Sequence, residues 1–193
     1  MPSARRDLAD FAHRLVAGGY TVGRDGNLSV REDERILITA SGVAKERLTE
    51  DDVVDIESAE RSSEWAVHAA IYRARPDVMA VIHAHPIHAC VLAVRGEALE
   101  PLLDEVTPVL GGRIPVAEYA PSGSEQLGDH AVRALADRQA VILANHGTVT
   151  VGAGLEEAFY PPPGAGVRGP GPGPEVTPAP ARAVVADSGR KLP

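Results

Sequence analysis

The sequence predicts an α/β fold in which most neighbouring strands run antiparallel. Segments with helical and strand patterning are interleaved along the chain. Several adjacent strand segments are joined by links too short for a crossover, which suits antiparallel pairing. The patterning runs to Tyr160 and then stops.

Leu8, Phe11, Leu15 and Val16 recur at helical spacing over 4–17, and Gly18-Gly19 ends that segment as a C-cap. Asp25-Gly26-Asn27 reads as a turn. Leu28 to Arg31 and Arg35 to Thr39 read as strands around Glu32-Asp33-Glu34, and Ser41-Gly42 closes the second. Thr49-Glu50-Asp51-Asp52 has the form of a capped helical turn, followed by a short strand from Val53 to Ile56. Ser62-Ser63-Glu64 predicts a helix start, a serine cap with an acid in the first turn. The stripe Val67, Ala70, Ile71 and Ala74 continues it to Arg75-Pro76. Val78 to His85 is rich in β-formers, and Pro86 opens a helix over 86–95 that Gly96 ends. A short strand follows at 113–117. Ser124 caps a helix carrying Leu127, Ala131, Val132 and Leu135. Ala140 to Ala144 and Thr148 to Val151 are strands flanking Asn145-His146-Gly147.

Residues 1–160 are therefore expected as one domain. Residues 161–193 hold nine of the sixteen prolines and six of the nineteen glycines, with no hydrophobic period. Such a composition buries too little apolar area to offset chain entropy, so a flexible tail is expected there.

The formal charge of −8 argues against nucleic acid, whose phosphates seek a basic face. A small phosphate ligand needs only a few local donors. The single cysteine, Cys90, rules out a disulfide within the chain and fits a reducing compartment. No apolar run is long enough to span a bilayer, and the first residues carry no signal-peptide core. A cytoplasmic location is expected.

Two constellations carry chemistry. His83 and His85 are two apart on a predicted strand, so their imidazoles share a side, and His146 lies in a turn that can aim it at them. Three imidazoles suit zinc and leave a coordination position open. Glu64 is placed to be a fourth group or a proton carrier. His13, His68, His88 and His130 lie on predicted helices and read as surface or internally satisfied residues. His68, one turn from Glu64, reads as its i,i+4 partner. The second constellation is Gly26-Asn27, Ser41-Gly42 and Ser62-Ser63, whose small donors and free N–H groups suit a phosphate. No Walker loop or dinucleotide-type Gly-x-Gly-x-x-Gly occurs.

The strings Gly26-Asn27-Leu28-Ser29, Thr39-Ala40-Ser41-Gly42, Ser62-Ser63-Glu64-Trp65, His83-Ala84-His85-Pro86 and Asn145-His146-Gly147, in this order over about residues 5–159, resemble the class II aldolase and adducin family. Within it they resemble the L-fuculose-phosphate-type aldolases. The resemblance implies a central, largely antiparallel sheet flanked by helices, and a cyclic homotetramer. It implies one zinc ion per subunit on His83, His85 and His146, with Glu64 a ligand that also serves as acid–base. It implies that Asn27, Ser41, Gly42, Ser62 and Ser63 hold the phosphate of a ketose 1-phosphate. Epimerases, decarboxylases and dehydratases on phosphorylated sugars or sugar acids share the superfamily, as do inactive members. The epimerases tend to carry aspartate where Glu64 stands, and adducin-type relatives lack the histidine set. Asp104-Glu105 stands near where fuculose-type enzymes have a tyrosine proton donor. Residues beyond Phe159 replace a helical region of those relatives.

Overall fold

The computed structural model describes residues 3–101 and 112–159. The expected tail at 161–193 and the Asp104-Glu105 pair lie outside the described residues.

Helix α1 (Ala4–Ala17) is capped by the Ser3 side chain, which accepts from Arg6 N–H. Strands β1 (Asn27–Glu32) and β2 (Arg35–Thr39) form a hairpin. A short 3-10 turn at Glu50–Asp52 is held by a capping box between Thr49 and Asp52. Then come β3 (Val53–Asp55), α2 (Trp65–Ala74), β4 (Ala80–Ala84) and α3 (Ile87–Arg95). The chain continues through β5 (Val116–Ala117), α4 (Glu125–Leu135), β6 (Ala140–Leu143), β7 (Thr148–Gly152) and α5 (Leu155–Phe159).

The strands make one seven-stranded sheet in the order β3-β2-β1-β4-β7-β6-β5. Every pair is antiparallel except β5 with β6. The largely antiparallel sheet flanked by helices is thus present, with one parallel edge.

Strand alternation sorts side chains between two cores. Leu28 and Val30 of β1, with Ala80, Ile82 and Ala84 of β4, pack against Leu8, Phe11, Ala12 and Leu15 of α1 and Leu155 of α5. On the other face, Val81 of β4, Val141 and Leu143 of β6, and Val149 and Val151 of β7 meet Val67, Ile71 and Tyr72 of α2 and Leu127, Ala131 and Leu135 of α4. Asn27, Ser29 and His83 alternate with the first set, so their chains fall on the α2 side. The register pairs Asn27 with His83 across β1 and β4, and His83 with Val149 across β4 and β7.

Three local expectations change. The 62–64 segment is a turn, not the first turn of α2: Trp65 N–H donates to Ser62 C=O, and Glu64 is the N-cap without a side-chain cap bond. That frees the Glu64 carboxylate to face the sheet end. Ala74 is exposed, because the buried stripe of α2 runs through His68 and Tyr72 instead. His85 lies one residue past β4, where its N–H donates to Tyr20 C=O rather than to a strand.

Helix α3 differs from the others. Of its nine residues only Ala93 is buried, and Ile87, Val91 and Val94 are 72%, 52% and 70% exposed. These three lie at i, i+4 and i+7 on one face.

Candidate active site

The site lies where β1 begins and β4 ends. Four groups converge on it from separate parts of the chain: His83 from β4, His85 from the segment after it, His146 from the turn between β6 and β7, and Glu64 from the cap of α2. One nitrogen of each imidazole lies within 4.8 Å of the others. Among the described residues these three histidines form a group that could hold a metal ion. Glu64 bridges two of them, with Oε2 3.0 Å from His83 Nε2 and Oε1 3.1 Å from His146 Nε2.

Two glycines make this convergence sterically possible. A Cβ on Gly147 would lie 2.4 Å from His85 Cδ2 and 2.6 Å from Ala84 O, so only glycine lets the His146 turn approach β4. A Cβ on Gly26 would lie 2.7 Å from His83 O, and its φ of +73° also favours glycine.

The Glu64 carboxylate is nearly enclosed and fully partnered. Asn27 Nδ2 donates to Oε2 at 3.0 Å, and Ser122 Oγ donates to Oε1 at 2.6 Å. Burial alone would raise its pKa. The bonds to His146 and His83, the charge of His83 and the Ser122 hydroxyl outweigh burial and hold the carboxyl well below the usual carboxylate range. Burial, and then the neighbouring His83 and His146, push His85 down to about 4, against the pull of Glu64 and Asp25. Its ring is therefore neutral, the form that ligates metals.

The phosphate-type segments border the same cleft. Gly26, Asn27, Ser41, Gly42, Ser62 and Ser63 line it together with Glu64, His85 and His146. Two cationic residues that sequence reasoning passed over, Arg24 and Lys45, line it as well. Lys45 is almost wholly buried, and its Nζ donates to Arg24 O and Val43 O, each at 3.1 Å. It ties the 23–26 turn to the 40–45 segment, the two lips of the cleft. Burial lowers its pKa, opposed by Asp25 and Glu46.

The family model described as "Class II Aldolase and Adducin N-terminal domain" matches residues 6–161. The chain belongs to this family.

Among its class II aldolase relatives, the L-fuculose phosphate aldolase of Escherichia coli K12 is 33% identical over 162 residues, covering 80% of this chain and 75% of the relative. The 5-methylthioribulose-1-phosphate/5-deoxyribulose-1-phosphate aldolase of Rhodospirillum rubrum is 37% identical over 162 residues, covering 80% of this chain and 73% of the relative. The solved L-fuculose-1-phosphate aldolase of Thermus thermophilus superposes with a TM-score of 0.69 at 33% identity, covering 76% of this chain and 77% of that one.

Class II aldolases call for a divalent metal, and the donor chemistry of this chain fits one. His83 Nδ1 lies 2.9 Å from the Thr148 carbonyl oxygen, which can only accept. Nδ1 therefore donates to that carbonyl, and Nε2 is the nitrogen left to face Glu64 Oε2 and His85 Nε2, 2.9 Å away. Electron-rich atoms this close need positive charge among them. Three imidazoles and a carboxylate are a donor set that zinc accepts.

Ser122 is the contact to Glu64 that sequence reasoning missed. It lies in a turn 58 residues from Glu64, with no periodicity to mark it. Asn27, read from the sequence as a turn residue, opens β1 and lines the cleft, with its amide already bonded to Glu64.

Proposed function

We propose that this protein is a zinc-dependent aldolase that cleaves or forms a carbon–carbon bond in a ketose 1-phosphate, with dihydroxyacetone phosphate as one partner and an aldehyde as the other. The observation that carries this reading is the ionised Glu64 carboxylate set between two imidazoles at the edge of a cleft lined by Ser41, Gly42, Ser62 and Ser63. The names of the relatives support the substrate class.

His83, His85 and His146 would hold the zinc, with Glu64 completing the set in the absence of substrate. Bound there, the ion supplies a Lewis acid for the negative charge that develops as the bond breaks. Glu64 carries the proton. In the bond-forming direction its carboxylate takes one from the hydroxymethyl carbon of dihydroxyacetone phosphate, that carbon adds to the aldehyde, and the aldehyde oxygen takes up a proton. In the cleavage direction the same carboxyl returns the proton to carbon. Ser41, Gly42, Ser62 and Ser63 hold the phosphate. Asn27 gives one amide hydrogen to Glu64 and keeps the second for the phosphate.

A panel of ketose 1-phosphates, assayed with added zinc and with chelator, tests the reading. Zinc-dependent release of dihydroxyacetone phosphate is the expected result. Conversion that leaves the substrate's formula unchanged would replace the aldolase with an epimerase. No turnover of any phosphorylated sugar or sugar acid would leave an inactive metal-binding protein.

The same reading includes a homotetramer. The uncovered Ile87, Val91 and Val94 face of α3, which begins two residues after His85, supports contact between copies close to the site. Analytical ultracentrifugation should give a mass of four chains, and a monomer would overturn this part. No described helix is long and apolar enough to cross a membrane.

A further inference from the structure

We infer that His68 is a positioning residue at the centre of a buried, one-directional hydrogen-bond relay, Tyr72 to Ser29 to His68 to Asn27, that fixes the orientation of the Glu64 carboxylate. The inference rests on the acid–base role proposed for Glu64.

Two periodicities build the relay. Glu64, His68 and Tyr72 are spaced by four along α2 and its cap, so they stack on one helix face. Asn27 and Ser29 are spaced by two on β1, so they share one sheet face. Where the faces meet, the residues interleave. Asn27 Nδ2 contacts Glu64 Oε2 at 3.0 Å, Asn27 Oδ1 contacts His68 Nε2 at 2.5 Å, His68 Nδ1 contacts Ser29 Oγ at 2.6 Å, and Ser29 Oγ contacts Tyr72 Oη at 2.9 Å. Asn27, Ser29, His68 and Tyr72 are all buried.

The chemistry at one end decides every proton. The carboxylate can only accept, so the Asn27 amide nitrogen faces it and the Asn27 oxygen faces His68. That oxygen can only accept, so His68 donates from Nε2. The neutral ring then has only a lone pair at Nδ1, so the Ser29 hydroxyl donates to it. The Ser29 oxygen in turn accepts from Tyr72. Reversing any link sets two acceptors or two donors against each other in a buried place, which is costly. Burial keeps the His68 ring neutral, pushing it down to about 3 with help from His83 and against Glu64. Burial likewise pushes the Tyr72 hydroxyl up, so it keeps the proton it donates.

The sequence pairs His68 directly with Glu64. The geometry inserts Asn27 between them, so His68 acts on the carboxylate only through the amide that it locks. Without that lock the Asn27 side chain is free to turn over and present its oxygen to Glu64.

Nitrogen-15 NMR of the histidine rings in the metal-free protein tests the relay independently of turnover. His68 should carry its proton on Nε2 and accept at Nδ1. A proton on Nδ1 would overturn the relay, whatever the enzyme's substrate proves to be. Ser29→Ala leaves the ring in place and removes the donor to Nδ1, so the Nδ1 resonance should move toward that of an unbonded imine nitrogen. An unchanged resonance would also overturn it.

In zinc-loaded protein, His68→Leu should lower kcat by about 10- to 100-fold, the range for residues that orient a ligating group. His68→Gln, which keeps a donor near the Nε2 position, should recover most of the loss. Equal kcat in His68→Leu and the parent protein would overturn the positioning role. Absence of turnover in the parent protein would instead remove the aldolase reading, and the tautomer would still decide the relay.

Discussion

Glu64→Gln should lower kcat by about 10²- to 10⁴-fold, the range for losing a positioned general acid–base. The substitution keeps the shape of the side chain and removes its charge and its capacity to carry the proton. Asn27 Nδ2 and Ser122 Oγ, which hold the two carboxylate oxygens, should hold the amide less well, because one oxygen becomes an NH₂ facing a donor. The amide matches the carboxylate in size and stays polar, so the metal-free protein should keep its fold. KM should move little, since Ser41, Gly42, Ser62 and Ser63 are untouched. Steady-state kinetics on protein with its zinc content measured separates the proton role from the ligand role. A kcat within error of the parent at full zinc loading would remove Glu64 as the proton carrier.

The elements were legible where sequence period and local caps agreed. The α1 stripe, the Ser124 cap and the left-handed Gly96 at the end of α3 all stand where the pattern set them. Asn27 was less legible: the pattern put it in the turn before the strand, whereas it opens β1 and shares a sheet face with Ser29 and His83. What escaped were contacts decided by tertiary approach. Ser122 reaches Glu64 across 58 residues, from a turn that carries no period. His68 looks like a surface partner of Glu64 when only α2 is considered. Strand β1 lies against that face and turns it into a buried relay. Lys45 follows the small-residue segment 40–44 and gives no sequence sign that its ammonium would be buried between two carbonyls. The exposed face of α3 was equally silent, since an apolar helical period does not say which partner covers it.

His83→Ala should abolish zinc binding at this site, and activity with it. The three imidazoles are not equivalent. His85 follows the end of β4 and His146 sits in a turn, whereas His83 is inside β4, between β1 and β7, with its Nδ1 held by the Thr148 carbonyl. It is the most deeply buried of the three and the one whose ring orientation the sheet itself determines. Changing a residue that merely orients a metal ligand costs about 10- to 100-fold in affinity, so deleting this ligand should cost more than about 100-fold. Metal analysis after dialysis should then find little zinc in the variant and close to one equivalent in the parent. His13→Ala is the matched control: that ring bonds the Leu48 carbonyl on the α1 side of the sheet, so its loss should leave zinc content unchanged. If His83→Ala retained both its zinc and full turnover, the metal would have to lie elsewhere, and the grouping of His83, His85, His146 and Glu64 would then be a polar cluster rather than a metal centre.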